Sequence, residues 1–248
     1  MYFNDVHILY YVAIAIFGGC VGQFIDYCNK CFLKEQKIFS KDSFLKYKRI
    51  MIPNYLLIAI TAICYVFLLY KFGYQTDFSN NLNLIKYVLL LPMLLCAFIV
   101  DFKEQIIPNR LNLLIFETGI IFVFLQGFNN INIASNMLLG MLAGGGIFLL
   151  ITLLGGLIAG KEAMGMGDVK LMGALGLYFG LQNIVAISVL SFLLGSIISI
   201  IYMIVKRKDA NTYIPFGPFI VIASIIAIFV PFDILFYILM KIFTLGMY

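Results

Sequence analysis

Residues 136–160 read NMLLGMLAGGGIFLLITLLGGLIAG, 25 residues without a charged side chain. At 1.5 Å rise per residue such a helix is about 37 Å long, longer than the roughly 30 Å hydrocarbon core of a bilayer. The run reads as a membrane span. Gly140, Gly144, Gly145, Gly146, Gly155, Gly156 and Gly160 crowd into it. Small residues at i, i+4 spacing let helix backbones approach closely in lipid, so this is expected to be a tightly packed central helix.

Working outward, further apolar runs lie at 8–27, 52–72, 84–100, 111–127, 169–180, 184–205 and 214–232. The 248 residues are 63% hydrophobic and 12% charged, with a mean hydropathy of +1.03. Soluble domains are about 45–50% apolar and about 25% charged. This excludes a soluble enzyme on one anchor, a disordered chain and a disulfide scaffold. Continuous rather than alternating apolar runs argue against an outer-membrane barrel. The expected fold class is all-α: a polytopic helical membrane protein of about eight transmembrane helices, forming one domain over 1–248. The first seven residues carry no Lys or Arg, so the opening run is not read as a cleavable signal peptide.

The net charge of +5 gains meaning from its placement. Lys30, Lys34, Lys37, Lys41, Lys46, Lys48 and Arg49 fall in the loop at 28–49, Lys103 and Arg110 at 101–110, Lys161 and Lys170 at 161–170, and Lys206, Arg207 and Lys208 at 206–213. These are 14 of the 17 basic residues, and the alternate loops 73–83, 128–135 and 181–183 hold none. Short loops rich in Lys and Arg face the cytoplasm. The N-terminus is therefore expected outside, and the short run 169–180 is expected to cross, because an even number of crossings must separate two cytoplasmic loops. The positive charge marks topology, and no nucleic-acid partner is expected.

Ionisable groups near or within spans are the candidates for chemistry. Asp101 closes the third span in Phe98-Ile99-Val100-Asp101-Phe102-Lys103 and precedes Ile106-Ile107-Pro108-Asn109. Asp168 lies in Gly165-Met166-Gly167-Asp168-Val169-Lys170, before the sixth span. Two crossings separate them, so both lie at the cytoplasmic boundary. A close carboxylate pair holds one proton between its members: the ionised one activates water and the protonated one polarises a carbonyl. Gly165 and Gly167 would supply unusual backbone angles and room for a peptide. The competing readings make Asp168 an N-cap of the sixth helix and Asp101 a partner of Lys103. Glu117, about 9 Å into the fourth span at 1.5 Å per residue, reads as a neutral group hydrogen-bonded inside the bundle.

The segment from Asp101 to Asn109 resembles the first aspartate motif of the type IV prepilin peptidases. Gly165-Met166-Gly167-Asp168-Val169-Lys170-Leu171-Met172 resembles their second, G-x-G-D motif, continuing through Gly173-Ala174-Leu175-Gly176. Glu162-Ala163-Met164 fits ahead of it, Ile214-Pro215-Phe216-Gly217-Pro218 resembles the opening of the family's last helix, and Val21-Gly22-Gln23-Phe24-Ile25-Asp26 resembles an N-terminal G-S-F-L-N segment, with Gln23 and Asp26 as departures. The resemblance implies an aspartyl endopeptidase of the bacterial inner membrane. It would cut the basic leader from prepilins or pseudopilins, precursors in which that leader is followed by an apolar helix, at the cytoplasmic face, with Asp101 and Asp168 as the catalytic pair and Gly165, Gly167 and Lys170 as supporting residues. Glu104 and Glu162 are the acidic groups on that rim, read either as attracting a basic leader or as pairing with Lys103 and Lys161.

Larger family members carry two Cys-x-x-Cys pairs in a cytoplasmic domain and methylate the new N-terminus with S-adenosylmethionine. Here only Cys28-Asn29-Lys30-Cys31 stands at the short 28–49 loop. Two thiolates do not complete a four-ligand zinc site, so no metal is expected, no cofactor is needed for proteolysis, and methyl transfer stays open. The alternatives are a presenilin- or preflagellin-type intramembrane protease and a small transporter or channel using Glu117 and the glycine-rich fifth span. The sequence does not name the pilin or the oligomeric state.

Overall fold

The computed structural model describes residues 2–3, 6–33, 54–73, 78–128, 130–159, 164–206 and 215–244. Most of the basic loop at 28–49, and Lys161 and Glu162, lie outside them. The chain is helical: α1 Ile8–Leu33, α2 Tyr55–Phe72, α3 Phe78–Glu104, α4 Asn109–Gly127, α5 Ile131–Ala159, α6 Met166–Lys206, α7 Gly217–Phe229 and α8 Phe232–Phe243. A two-residue antiparallel pairing, Tyr2 with His7 and Phe3 with Val6, precedes α1. Six of the described helices, α1 to α6, are long and apolar enough to cross a membrane. Their outward faces are aliphatic: Leu142, Leu150, Leu153, Leu154, Leu157 and Ile158 of α5 are all more than half exposed. A soluble monomer does not present so large an apolar patch to water. The protein is a multi-pass membrane protein.

Two compact units divide at Val100 and Asp101. In the first, α1 packs along α2, and the fully buried Tyr65 donates its hydroxyl to the Val88 carbonyl at 2.8 Å, tying α2 to α3. Cys28 and Cys31 are buried, free thiols one turn apart on α1.

The second unit is built around α5, as the glycine run predicts. All eight apolar runs appear as helix, and 169–180 and 184–205 are two helices that meet at a kink and are labelled here as two legs of α6. Gly180 separates them with φ 72°, ψ 178°. A straight helix would set Met172 and Ile184 about 18 Å apart, yet a Cβ on Gly144 of α5 would touch both the Met172 carbonyl and the Ile184 side chain. The chain therefore turns back on itself at Gly180 and both legs lie along α5. Asn136 of α5 holds the turn, its Oδ1 accepting from the Leu181 amide at 3.2 Å. Gly140 and Gly176 touch backbone to backbone, and no Cβ fits between them. Phe148, Phe192 and Phe216 form a ring cluster with centroids 5.1–6.0 Å apart, joining α5, the second leg of α6 and the approach to α7. The apolar run at 214–232 yields only 13 helical residues in α7, about 20 Å of helix. The tail forms α8 and buries Leu235 and Leu239 with Ala186.

The Gly180 backbone lies in a region that only glycine enters without strain, worth about 1–3 kcal/mol. An added Cβ would also meet Asn136 Nδ2 at 2.7 Å. Gly180→Ala is expected to lower stability by about 1–3 kcal/mol, read as a lower midpoint of thermal unfolding in detergent.

Candidate active site

Two segments converge on a cleft of about 320 Å³ whose lining includes Asp101, Gln105, Ile107, Asn109, Gly167 and Asp168. Asp101 stands in the last turn of α3. That helix closes with Gln105 in the left-handed region at φ 58°, its amide donating to the Asp101 carbonyl at 2.9 Å. The turn allows Ile106 and Ile107 to fold back before Pro108, which caps α4 with extended angles. Asp168 lies in the first turn of α6, its amide donating to the Gly165 carbonyl at 3.0 Å. Since α6 begins at Met166, Asp168 is inside the helix and is not its N-cap.

The two carboxylates are 4% and 5% exposed and lie within electrostatic reach of each other. The N-terminus of α7 packs against Asp101. Its Gly217 amide faces the Asp101 carboxylate, and a Cβ at 217 would stand 2.5 Å from Asp101 Oδ2. That oxygen is buried and unpartnered among the described residues. The arrangement suits a shared proton, with one carboxylate able to accept from water and the other able to donate to a carbonyl.

α4 is fastened to the first leg of α6 near this cleft. Asn112 Nδ2 donates to the Gly167 carbonyl at 3.0 Å, and Lys170 Nζ donates to Asn109 Oδ1 at 2.9 Å. Deeper in the unit Thr118 and Tyr178 share a hydrogen bond of 2.5 Å. These contacts hold the first leg of α6, which carries Asp168, against the segment that follows Asp101.

Two expectations need correction. Gly167 was expected to supply an unusual backbone angle, but among the described glycines only Gly73 and Gly180 have positive φ. A Cβ there would meet Ile107 at 3.4 Å, ordinary van der Waals contact, so neither backbone angle nor space requires glycine at this position. Glu117 was expected inside the bundle, but it is exposed. The i, i+4 geometry of a helix puts it on one stripe with Leu113 and Ile121, both more than half exposed, so the helix that buries Leu111 and Ile115 turns Glu117 outward.

Of the remaining candidates, Gly165 and Lys170 line the cleft. Glu104 is exposed on the rim and is not part of the lining; Glu162 lies outside the described residues. Sequence reasoning assigned no role to Asn112 or Gly217. The available signals were an asparagine one turn into a span and a glycine between two prolines at a helix start.

Residues 88–204 match the sequence model of the type IV leader peptidase family. A prepilin leader peptidase/N-methyltransferase of Xanthomonas campestris pv. campestris is 33% identical over 131 residues, covering 52% of this chain and 44% of that protein. The protein of the same name from Aeromonas hydrophila is 32% identical over 141 residues, 57% of this chain and 48% of its own length. The one from Legionella pneumophila is 31% identical over 155 residues, 61% and 52%. The chain spans about half the length of these curated relatives. No solved structure matches.

Proposed function

Because residues 88–204 carry the pattern of the type IV leader peptidase family, we propose that this protein is an aspartyl endopeptidase of the inner membrane. It removes the basic leader of prepilin or pseudopilin precursors at the cytoplasmic face. The observation that carries this reading is the juxtaposition of Asp101 and Asp168, both buried, both lining one cleft, and brought together from positions 67 residues apart in sequence.

The chemistry follows from the pair. The ionised carboxylate takes a proton from a water molecule as it attacks the scissile carbonyl, while the protonated partner donates a hydrogen bond to the carbonyl oxygen. The tetrahedral intermediate collapses as the leaving amine accepts a proton, and the pair returns to its one-proton state. The Gly217 amide facing Asp101 and the Asn112 hydrogen bond to Gly167 in the first turn of α6 keep the two carboxylates in place. The direct test is incubation of the purified protein in lipid nanodiscs with a precursor carrying a basic leader, followed by mass measurement of the product.

Glu104 and Glu162 supply the electrostatic attraction for the leader. Reversing both, Glu104→Lys with Glu162→Lys, is expected to raise KM several-fold at low salt and less at high salt, as screening requires. An unchanged KM at low salt removes the two glutamates from substrate recognition.

Cleavage proceeds without a metal. Cys28→Ser with Cys31→Ser, and separately a strong chelator, are each expected to leave the cleavage rate within about twofold, since two thiolates do not complete a four-ligand zinc site. Bound zinc found by elemental analysis, or loss of cleavage with chelator, counts against this. The N-methyl transfer in the relatives' names is tested by supplying S-adenosylmethionine and reading the processed N-terminus for the mass of one methyl group.

A further inference from the structure

A groove of about 460 Å³ runs between α4, α5 and the first leg of α6. Asn109 and Lys170 line both this groove and the aspartate cleft, so the two are continuous. Beyond that junction the lining becomes apolar, with Leu113 and Phe116 on α4 and the small residues Gly173 and Ala174 on α6. Leu113 is 56% exposed and Phe116 38%, so the groove is open along its side. Small residues on one wall let a further helix approach closely.

Asn112 sits in this lining and is 4% exposed. Its Nδ2 donates to the Gly167 carbonyl. That acceptor settles which end of the amide is nitrogen, so the other end is an oxygen. Asn112 Oδ1 is buried and has no hydrogen-bond partner among the described residues. A buried acceptor left unpaired is costly, and it marks a position where a donor binds. A helix starts with four N–H groups that have no partner of their own, and hydrocarbon offers no water to satisfy them.

We infer that this groove holds the apolar helix that follows the leader of the substrate, and that Asn112 Oδ1 accepts a hydrogen bond from a backbone N–H in the first turn of that helix. The inference rests on the peptidase reading and specifies where its substrate lies. Asn112 is a positioning residue: one end of its amide holds the first turn of α6, which carries Asp168, and the other holds the peptide just past the scissile bond. The carboxylates and the peptide are thereby set by the same side chain.

The test uses the full-length protein in nanodiscs and a set of leader-plus-helix substrates, each N-methylated at one of the first four residues after the scissile bond. In the wild type, methylation at one of these positions is expected to raise KM about tenfold, the loss of one buried hydrogen bond. In Asn112→Leu the same methylation is expected to have no further effect, although the variant itself is slower because the Gly167 contact is lost. A methylation penalty equal in wild type and Asn112→Leu overturns the role of Asn112. Leu113→Trp, at an exposed site that does not disturb packing, gives the second measurement. It is expected to raise KM for the helix-bearing substrate at least about fivefold more than for a leader peptide truncated after the cleavage site, and an equal effect on both overturns the groove. A wild type that does not cleave the unmodified precursor overturns the peptidase reading and this inference with it, whereas cleavage with no dependence on Asn112 or Leu113 overturns this inference alone.

Discussion

Asp101→Asn and Asp168→Asn are each expected to lower the rate of leader cleavage by about a thousandfold or more, about 4 kcal/mol in transition-state stabilisation. Asparagine keeps the size and much of the hydrogen bonding of aspartate but cannot pass a proton, so each variant should still insert and keep the wild-type unfolding midpoint. The double variant should be hardly slower than either single one, because the pair acts as a unit. Glu117→Gln is the control: it removes a carboxylate from the exposed stripe of α4, outside the cleft, and should leave most of the activity. The wild-type rate should fall at both ends of the pH range. At low pH both carboxylates are protonated and no base remains. At high pH both are ionised and no acid remains, and the two limbs report constants of the pair rather than of either residue. A folded Asp168→Asn variant that cleaves at near wild-type rate would sink the aspartyl mechanism.

Gly217→Ala is expected to cost about a hundredfold in kcat with KM changed little. The added Cβ would lie 2.5 Å from Asp101 Oδ2 and 2.9 Å from its Cγ. Ordinary contact needs about 3.5 Å, so the carboxylate must retreat by about 1 Å, and a misplacement of that size at a reacting group costs roughly a hundredfold. Ile107, whose Cδ1 would stand 3.1 Å from the same Cβ, closes one direction of retreat. The measurement is single-turnover cleavage, paired with thermal unfolding to separate displacement of Asp101 from loss of fold. A rate within threefold of wild type would mean that α7 yields and Asp101 does not.

What the sequence by itself determined was the solvent and the partners in chemistry. Apolar runs long enough to span a bilayer require helices, because backbone polar groups in hydrocarbon must be satisfied within the segment. Basic-loop parity gave the expectation that Asp101 and Asp168 share one boundary, and the motifs around them carried the resemblance to the prepilin peptidases. Three things were decided only by tertiary structure. The two helices at 169–180 and 184–205 meet at Gly180, where the chain reverses without an intervening loop, a turn that depends on Asn136 of another helix and on backbone contact between Gly140 and Gly176. Glu117 faces outward because the rotation of α4 is set by Asn112, Thr118 and Gly119 packing on α6, and hydropathy along one helix does not fix that rotation. Asn112 and Gly217 join the site because each meets a residue distant in the chain, Gly167 at 55 residues' separation and Asp101 on another helix. Spacing along a sequence reports which face of a helix a residue occupies; which neighbour that face meets depends on close packing between helices, and that is settled only when the helices are assembled.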